Sequence, residues 1–159
     1  MAVVPFSVPA NLASQSSEHP GLGNQLAWSV QREFLGTELV PIVEVFNRVD
    51  WPGKKDEFFT GNFGAISFAR EAGYDLVLVG YVEPLKGMDS LVVHTKIIEV
   101  ESGLTVSFIR STTTTNRKLV DRGLDIVSIK DFKPSMLYSN ELVDKAAQCV
   151  VHGIKADNY

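Results

Sequence analysis

Cys149 and His152 stand three residues apart near the end of the chain, the spacing that sets two side chains side by side on a helix. Such a pair could serve as nucleophile and base, or as half of a metal site. No third ligand or orienting acid accompanies it, and Cys149 borders an apolar stripe, so a partly buried structural thiol is expected. His94 alternates with Lys96 along a strand and reads as an exposed or half-buried sheet residue, while His19 precedes Pro20 in a loop. Glu99 and Glu101 lie two apart beside a turn, where solvated acids are common. Asp75 opens an apolar strand, a place for capping or pairing. Gly21-Leu-Gly-Asn-Gln-Leu26 opens a helix in the manner of a dinucleotide-binding glycine loop. Leu26 occupies the third glycine position, however, and the preceding strand ends near Val8, too far back for the tight turn that aims backbone amides at a pyrophosphate. An ordinary helix start is expected. Nothing matches a nucleophile elbow, a P-loop or an EF-hand. The chain is therefore read as no enzyme, with no cofactor and no metal site.

Aromatic residues are the more informative group. Trp28 falls off the apolar stripe of the first predicted helix, and Trp51, Phe58 and Phe59 cluster in a charged loop. Aromatics away from a core face are candidates for an interface. The alternative is that they cover the sheet edge or the second helix.

The elements that hold these residues follow from periodicity. Ala2 to Val8 is β-rich and ends at Pro9, and a polar loop with Ser14, Ser16 and Ser17 runs to Pro20. Leu22, Leu26, Val30 and Phe34, with Ala27, form one helical stripe that Gly36 closes. Val40 to Phe46 reads as a strand, and a loop centred on Trp51-Pro52-Gly53 leads to a helix over Asn62 to Ala72. That helix is capped by Thr60 or Asn62 and followed by Gly73. Tyr74 to Val82 is almost continuously apolar, as a central strand covered on both faces requires. Leu91 to Ile98 alternates with period two, Glu101-Ser102-Gly103 makes a hairpin, and Leu104, Val106 and Phe108 lie on a return strand reaching about Thr112. Asn140 to Ile154 is strongly amphipathic.

These elements predict an α/β (α+β) protein with a mixed sheet of about five strands in the order β-α-β-α-β-β-β-α. The 159 residues are expected to form a single domain: a core unit over 2–112, an irregular insertion over 113–138 and a packing helix over 139–155. That length suffices to bury about 68–70% of the unfolded surface. An apolar fraction of 45% and a charged fraction of 21% exclude general disorder. Net charge is −4, and the short run Lys54-Lys55 is followed at once by Asp56-Glu57, which argues against nucleic acid as a partner. No apolar run approaches the roughly 18 residues of a membrane span. The single cysteine allows no internal disulfide and leaves the redox compartment open. Met1 abuts the β-rich Ala2-Val3-Val4 directly, which fits either a natural start or a cut within a longer chain.

Ala2-Val-Val-Pro-Phe6, a helix with Gly21 near its start, Ala72-Gly-Tyr-Asp-Leu-Val-Leu-Val-Gly80 and Ile98-Glu-Val-Glu-Ser-Gly103 occur together, in this order. The combination resembles the α/β domain of the CsgG-like curli-secretion lipoproteins and of the TolB amino-terminal domain. Flagellar outer-membrane proteins and penicillin-binding-protein activators of bacteria are similar to it too. The resemblance spans about Ala2 to Thr112 and the last helix, through short apolar motifs. It implies a non-enzymatic module of the bacterial envelope, on the periplasmic side, whose partners are other envelope proteins or further copies of itself. It further implies accessory work in a secretion, flagellar or cell-wall machine. The family's lipid-acceptor cysteine and long membrane-inserting hairpins are not present in this sequence, and Thr113 to Tyr138 exceeds the family's usual link into the last helix. Two other readings stay open: a small-molecule-binding regulator or cryptic enzyme using the loops near Val8 to Pro20 and Asn47 to Thr60, and a cytosolic adaptor.

Overall fold

The computed structural model describes residues 1–9, 21–46, 55–83, 90–114 and 140–157. Its elements are β1 (Ala2–Val3), α1 (Leu22–Leu35), β2 (Glu44–Val45), α2 (Lys55–Thr60), α3 (Phe63–Glu71), β3 (Leu76–Val82), β4 (Ser90–Glu99), β5 (Thr105–Thr114) and α4 (Asn140–Asp157). The five strands make one mixed sheet in the order β2-β1-β3-β4-β5. β1 pairs parallel with β2 and β3, where helices make the connections, and β3-β4-β5 is antiparallel. The path through α1 leads to one neighbour of β1, and the path through α2 and α3 leads back to the other on the opposite face. Both crossovers therefore have the same hand.

Helices cover the two faces unequally. Val3, Phe6, Leu78, Val82, Leu91, Val93 and Ile97 pack under α1 and α4 in one core. Ala2, Val4, Val77, Val79, Tyr81 and Ile98 pack under α2 and α3 in a second, smaller one. The predicted stripe of α1 is the observed one: Leu22, Leu26, Ala27, Val30 and Phe34 are all buried. β3 is buried from Val77 to Val82, as expected of a strand sandwiched between layers.

Prolines shorten two predicted strands. Pro5 has no N–H to donate, and the Phe6 N–H turns away from the sheet to the carbonyl of Gly23 at 3.1 Å. The ladder resumes at Ser7, whose N–H donates to Gly80. Val40 to Phe46 is reduced to Glu44–Val45 behind Pro41, a brief edge of the kind that discourages further pairing. Asn62 does start α3, but through its own left-handed backbone (φ 56°) and without a side-chain cap. Gly73 sits at φ +77°, the conformation a glycine after a helix adopts most readily. The predicted loop before α3 contains an unpredicted helix, α2. Its sequence, Lys-Asp-Glu-Phe-Phe-Thr, is too short for periodicity to reveal.

β5 departs furthest from expectation. It runs on to Thr114, and a bulge between Ile97 and Ile98 sets its register against β4. The apolar residues on which the strand was predicted, Leu104, Val106 and Phe108, are 65%, 54% and 51% exposed. The polar alternates Ser107, Ser111 and Thr113 are the buried ones. α4 decides this. It lies along β5 on the Ser107 side, where Gly153 comes so close that an added Cβ would stand 2.8 Å from Ile109. The Ser107 hydroxyl donates to Asp157 at 2.9 Å across that seam. Of the irregular insertion expected over 113–138, Thr113 and Thr114 continue β5 in its pairing with β4, and residues 115–138 lie outside the described residues.

Candidate functional site

Beyond the edge of α2, the face of β3, β4 and β5 opposite α4 carries an array of rings. The Tyr81 and His94 rings stack with centroids 5.8 Å apart, on paired positions of β3 and β4. Phe59 meets Tyr81 edge-on at 5.7 Å, and Phe108 lies 6.2 Å from His94 and 6.5 Å from Phe58. Such offset and edge geometries are the favourable ones for aromatic pairs. Phe59, 59% exposed, is the array's member on α2 and Phe108 its member on β5; Phe63 at 76% exposure on α3 and Val106 on β5 are exposed as well.

A polar cluster borders the rings. One oxygen of Glu83 (Oε1) accepts the Nε2–H of His94 at 2.6 Å and the guanidinium of Arg110 at 3.3 Å. The His94 bond is the chief reason that Glu83 titrates below the ordinary carboxylate value, with Arg110 adding to it. The other ring nitrogen of His94, Nδ1, is buried without a partner among the described residues. Lys96 works differently. Its ammonium donates to the Phe58 carbonyl at 2.6 Å and sits 4.5 Å from the centre of the Phe58 ring. Burial pushes the Lys96 pKa down. This contact ties the end of α2 to the sheet.

The sign of the Glu83 effect follows from its direction. A carboxyl group whose folded pKa is depressed stabilises the fold above its unfolded value, near 4.5, and that stabilisation is lost as pH falls through the lower folded value. Glu83→Gln removes the titration. The variant should be less stable at pH 7, with a smaller loss between pH 5 and pH 3 than the parent shows. Urea midpoints at the three pH values measure both, and identical acid limbs would refute the coupling.

The sequence candidates separate on this structure. Phe59 lies on the open face. Phe58, its neighbour on α2, is 2% exposed and belongs to the smaller core, because the helix turns its ring down onto Tyr81 and Phe108. Trp28 is 40% exposed on α1, on the other side of the sheet. Trp51 and His19 lie outside the described residues, as does most of the two loops expected for a small-molecule site. Cys149 is exposed, not partly buried, because the apolar stripe of α4 ends one position short of it. Together with His152, Lys145, Gln148 and Thr112 to Thr114 it lines a groove of about 550 Å³ between α4 and β5. Glu99, Glu101 and Asp75 are exposed. Among the described residues, no group of three or more His, Cys, Asp or Glu side chains could hold a metal ion. No described helix is long and apolar enough to cross a membrane.

Sequence reasoning missed Phe63, Val106 and Phe108. The available signal was the serine and threonine run at alternate β5 positions facing a helix with Gly153 in its packing stripe. Small side chains on both elements mark the close contact, and they leave the larger apolar set on the other side.

No protein-family model matches the sequence, and no curated protein matches it either. Solved structures similar to it are found. Protein XCC0632 from Xanthomonas campestris superimposes with a TM-score of 0.54 at 10% identity, over 99% of this chain and 85% of that one. A PelC dodecamer from Paraburkholderia phytofirmans gives 0.47 at 16% identity, over 91% and 81%. Lipoprotein GNA1162 from Neisseria meningitidis gives 0.45 at 13% identity, over 72% and 78%. At 10% identity the likeness to XCC0632 is one of fold alone.

Proposed function

We propose that this protein is a non-enzymatic docking module of the bacterial envelope, working on the periplasmic side. The observation that carries this reading is the open ring-lined face. Phe59 on α2, Phe63 on α3 and Val106 and Phe108 on β5 stay in contact with water, although Ser107, Ser111 and Thr113 of β5 are buried. Exposed aromatic side chains packed beside charged groups, here Glu83, Arg110 and Lys96, are a usual mark of a protein interface. The order of the motifs between Ala2 and Gly103, which resembles that of CsgG-like and TolB amino-terminal domains, supports the envelope assignment.

A photo-crosslinking amino acid at position 63, in protein expressed from its own locus, should give a discrete protein adduct in living cells. The same group at exposed Glu38 should not. Adding Val106→Asp should reduce the position-63 adduct at least tenfold while leaving the thermal midpoint within a few degrees. Equal labelling from both positions, or recovery of the mature protein in the cytoplasmic fraction, would overturn the reading.

A further inference from the structure

Strand pairing sets two rows of side chains on the face of β3, β4 and β5 opposite α4. Tyr81, His94 and Arg110 stand opposite one another in the first row, and Val79, Lys96 and Phe108 in the second. Glu83, two positions beyond Tyr81, reaches His94 and Arg110 at the end of the first row. The middle of this face is low: Tyr81 is 5% exposed and the His94 side chain 14%. Phe59 stands against Tyr81 from α2 and Phe108 against His94 from β5, both more than half exposed. A side chain protruding from a partner reaches such a seat, whereas a flat lipid surface meets only its raised rings.

The charges here do not balance. Along the two rows and at the end of β3, Lys96 and Arg110 are the cations and Glu83 is the acid, on a chain whose net charge is −4. Lys96 is engaged by the Phe58 carbonyl. Arg110 is only braced. Its Nε and Nη2 both aim at one oxygen of Glu83, at 3.3 Å each, and His94 already holds that oxygen at 2.6 Å. The Arg110 side chain is 55% exposed, and its Nη1 has no hydrogen-bond partner among the described residues. One edge of the guanidinium fork therefore rests on Glu83. The other, Nη1 with the second N–H of Nη2, is left with two donors at the spacing of a carboxylate's two oxygens. Phe108 lies two positions away on the same face of β5.

We infer that Arg110 receives a carboxylate of the protein partner while an apolar group of the same segment rests on Phe108. The surface thus selects a segment that is both acidic and apolar. Charge complementarity carries the choice of occupant: a second copy presenting this same face would set one surplus positive charge against another.

This inference rests on the docking reading and names the chemistry of its partner. The probe is 3-phenylpropionate, a ring with one carboxylate, compared with 3-phenylpropionamide, which has the same shape and no charge. Titrated into the full chain labelled with nitrogen-15, the acid should shift the Arg110 Nε–H and Phe108 amide signals. It should bind about tenfold more tightly than the amide, as a charge-assisted bond to a fork predicts. Arg110→Gln should erase that preference, and Arg110→Lys, which keeps the charge and loses the fork, should retain only part of it. In cells, Arg110→Gln should cut the position-63 adduct severalfold with the thermal midpoint within a few degrees. Equal binding of acid and amide, or a preference that survives Arg110→Gln, overturns the assignment. So does Arg110-dependent sedimentation with phosphatidylglycerol vesicles, which would make the anion a lipid phosphate. A position-63 adduct that persists in Arg110→Gln sinks this inference and leaves the docking reading standing, whereas a parent chain that gives no adduct sinks both.

Discussion

A chain ending at Tyr138 should fail to fold. α4 places Leu142, Val143, Ala146, Ala147, Val150, Val151 and Ile154 in the larger core, each at 0–2% exposure. Burial of a Leu, Val or Ile side chain contributes about 1.5–3 kcal/mol, so the five larger ones alone supply roughly 7–15 kcal/mol. The net stability of a whole domain is only about 5–15 kcal/mol. Truncation would also expose the facing surfaces of α1 and β5. It would leave the Ser29 hydroxyl and the Arg32 guanidinium without Asp144, their partner at 2.8 Å and 2.6 Å. The expected product is insoluble, or a collapsed state that binds hydrophobic dyes and lacks a dispersed proton spectrum. Soluble, monodisperse protein with native-like chemical shifts would show that the β-rich part stands without its last helix.

The same helix explains what could be read in the sequence and what could not. Elements long enough to repeat their period were legible. The stripes of α1 and α4, the apolar run of β3 and the Glu101-Ser102-Gly103 turn stand close to where the residues placed them. Short elements were not. α2 has too few residues to display a period, and β1 and β2 owe their brevity to prolines whose effect depends on which hydrogen bond is lost.

The candidate site was only partly legible for a related reason. Alternation along β5 separates two sets of residues but cannot tell which set a distant helix will cover. A hydrophobic set is normally assigned inward. Here the contact of Gly153 with Ile109 settles the choice the other way, and α4 lies far from β5 in sequence. Phe59 could be picked out as an aromatic off the core, but its neighbour Phe58 could not be separated from it. On so short a helix, one residue's rotation divides a core position from an exposed one.

The glycines tell the opposite story, because their role is visible only in three dimensions. Gly23, in the stretch that resembles a nucleotide-binding loop, serves contact with a backbone: a Cβ there would stand 2.1 Å from the Phe6 carbonyl oxygen. Gly80 does the same for the Phe6 ring, two of whose carbons would lie 2.1 Å from an added Cβ, where ordinary contacts are 3.4–4 Å. Phe6 cannot step aside easily. Its N–H is bonded to Gly23, and the next residue, Ser7, is bonded to Gly80 itself. Gly80→Ala should therefore reach or exceed the usual overpacking cost of about 1–3 kcal/mol. At about 2–4 °C per kcal/mol for a protein of this size, the thermal midpoint should fall by roughly 5–10 °C. Phe6→Ala, which empties the slot, should cost about 3–5 kcal/mol. The double variant is the decisive measurement. With the ring gone, a methyl at position 80 has space, so Gly80→Ala should add nothing to the cost of Phe6→Ala and should recover part of it by filling the cavity. Additive losses across the four proteins would mean that Gly80 is needed for the strand's own backbone and not for the ring lying on it.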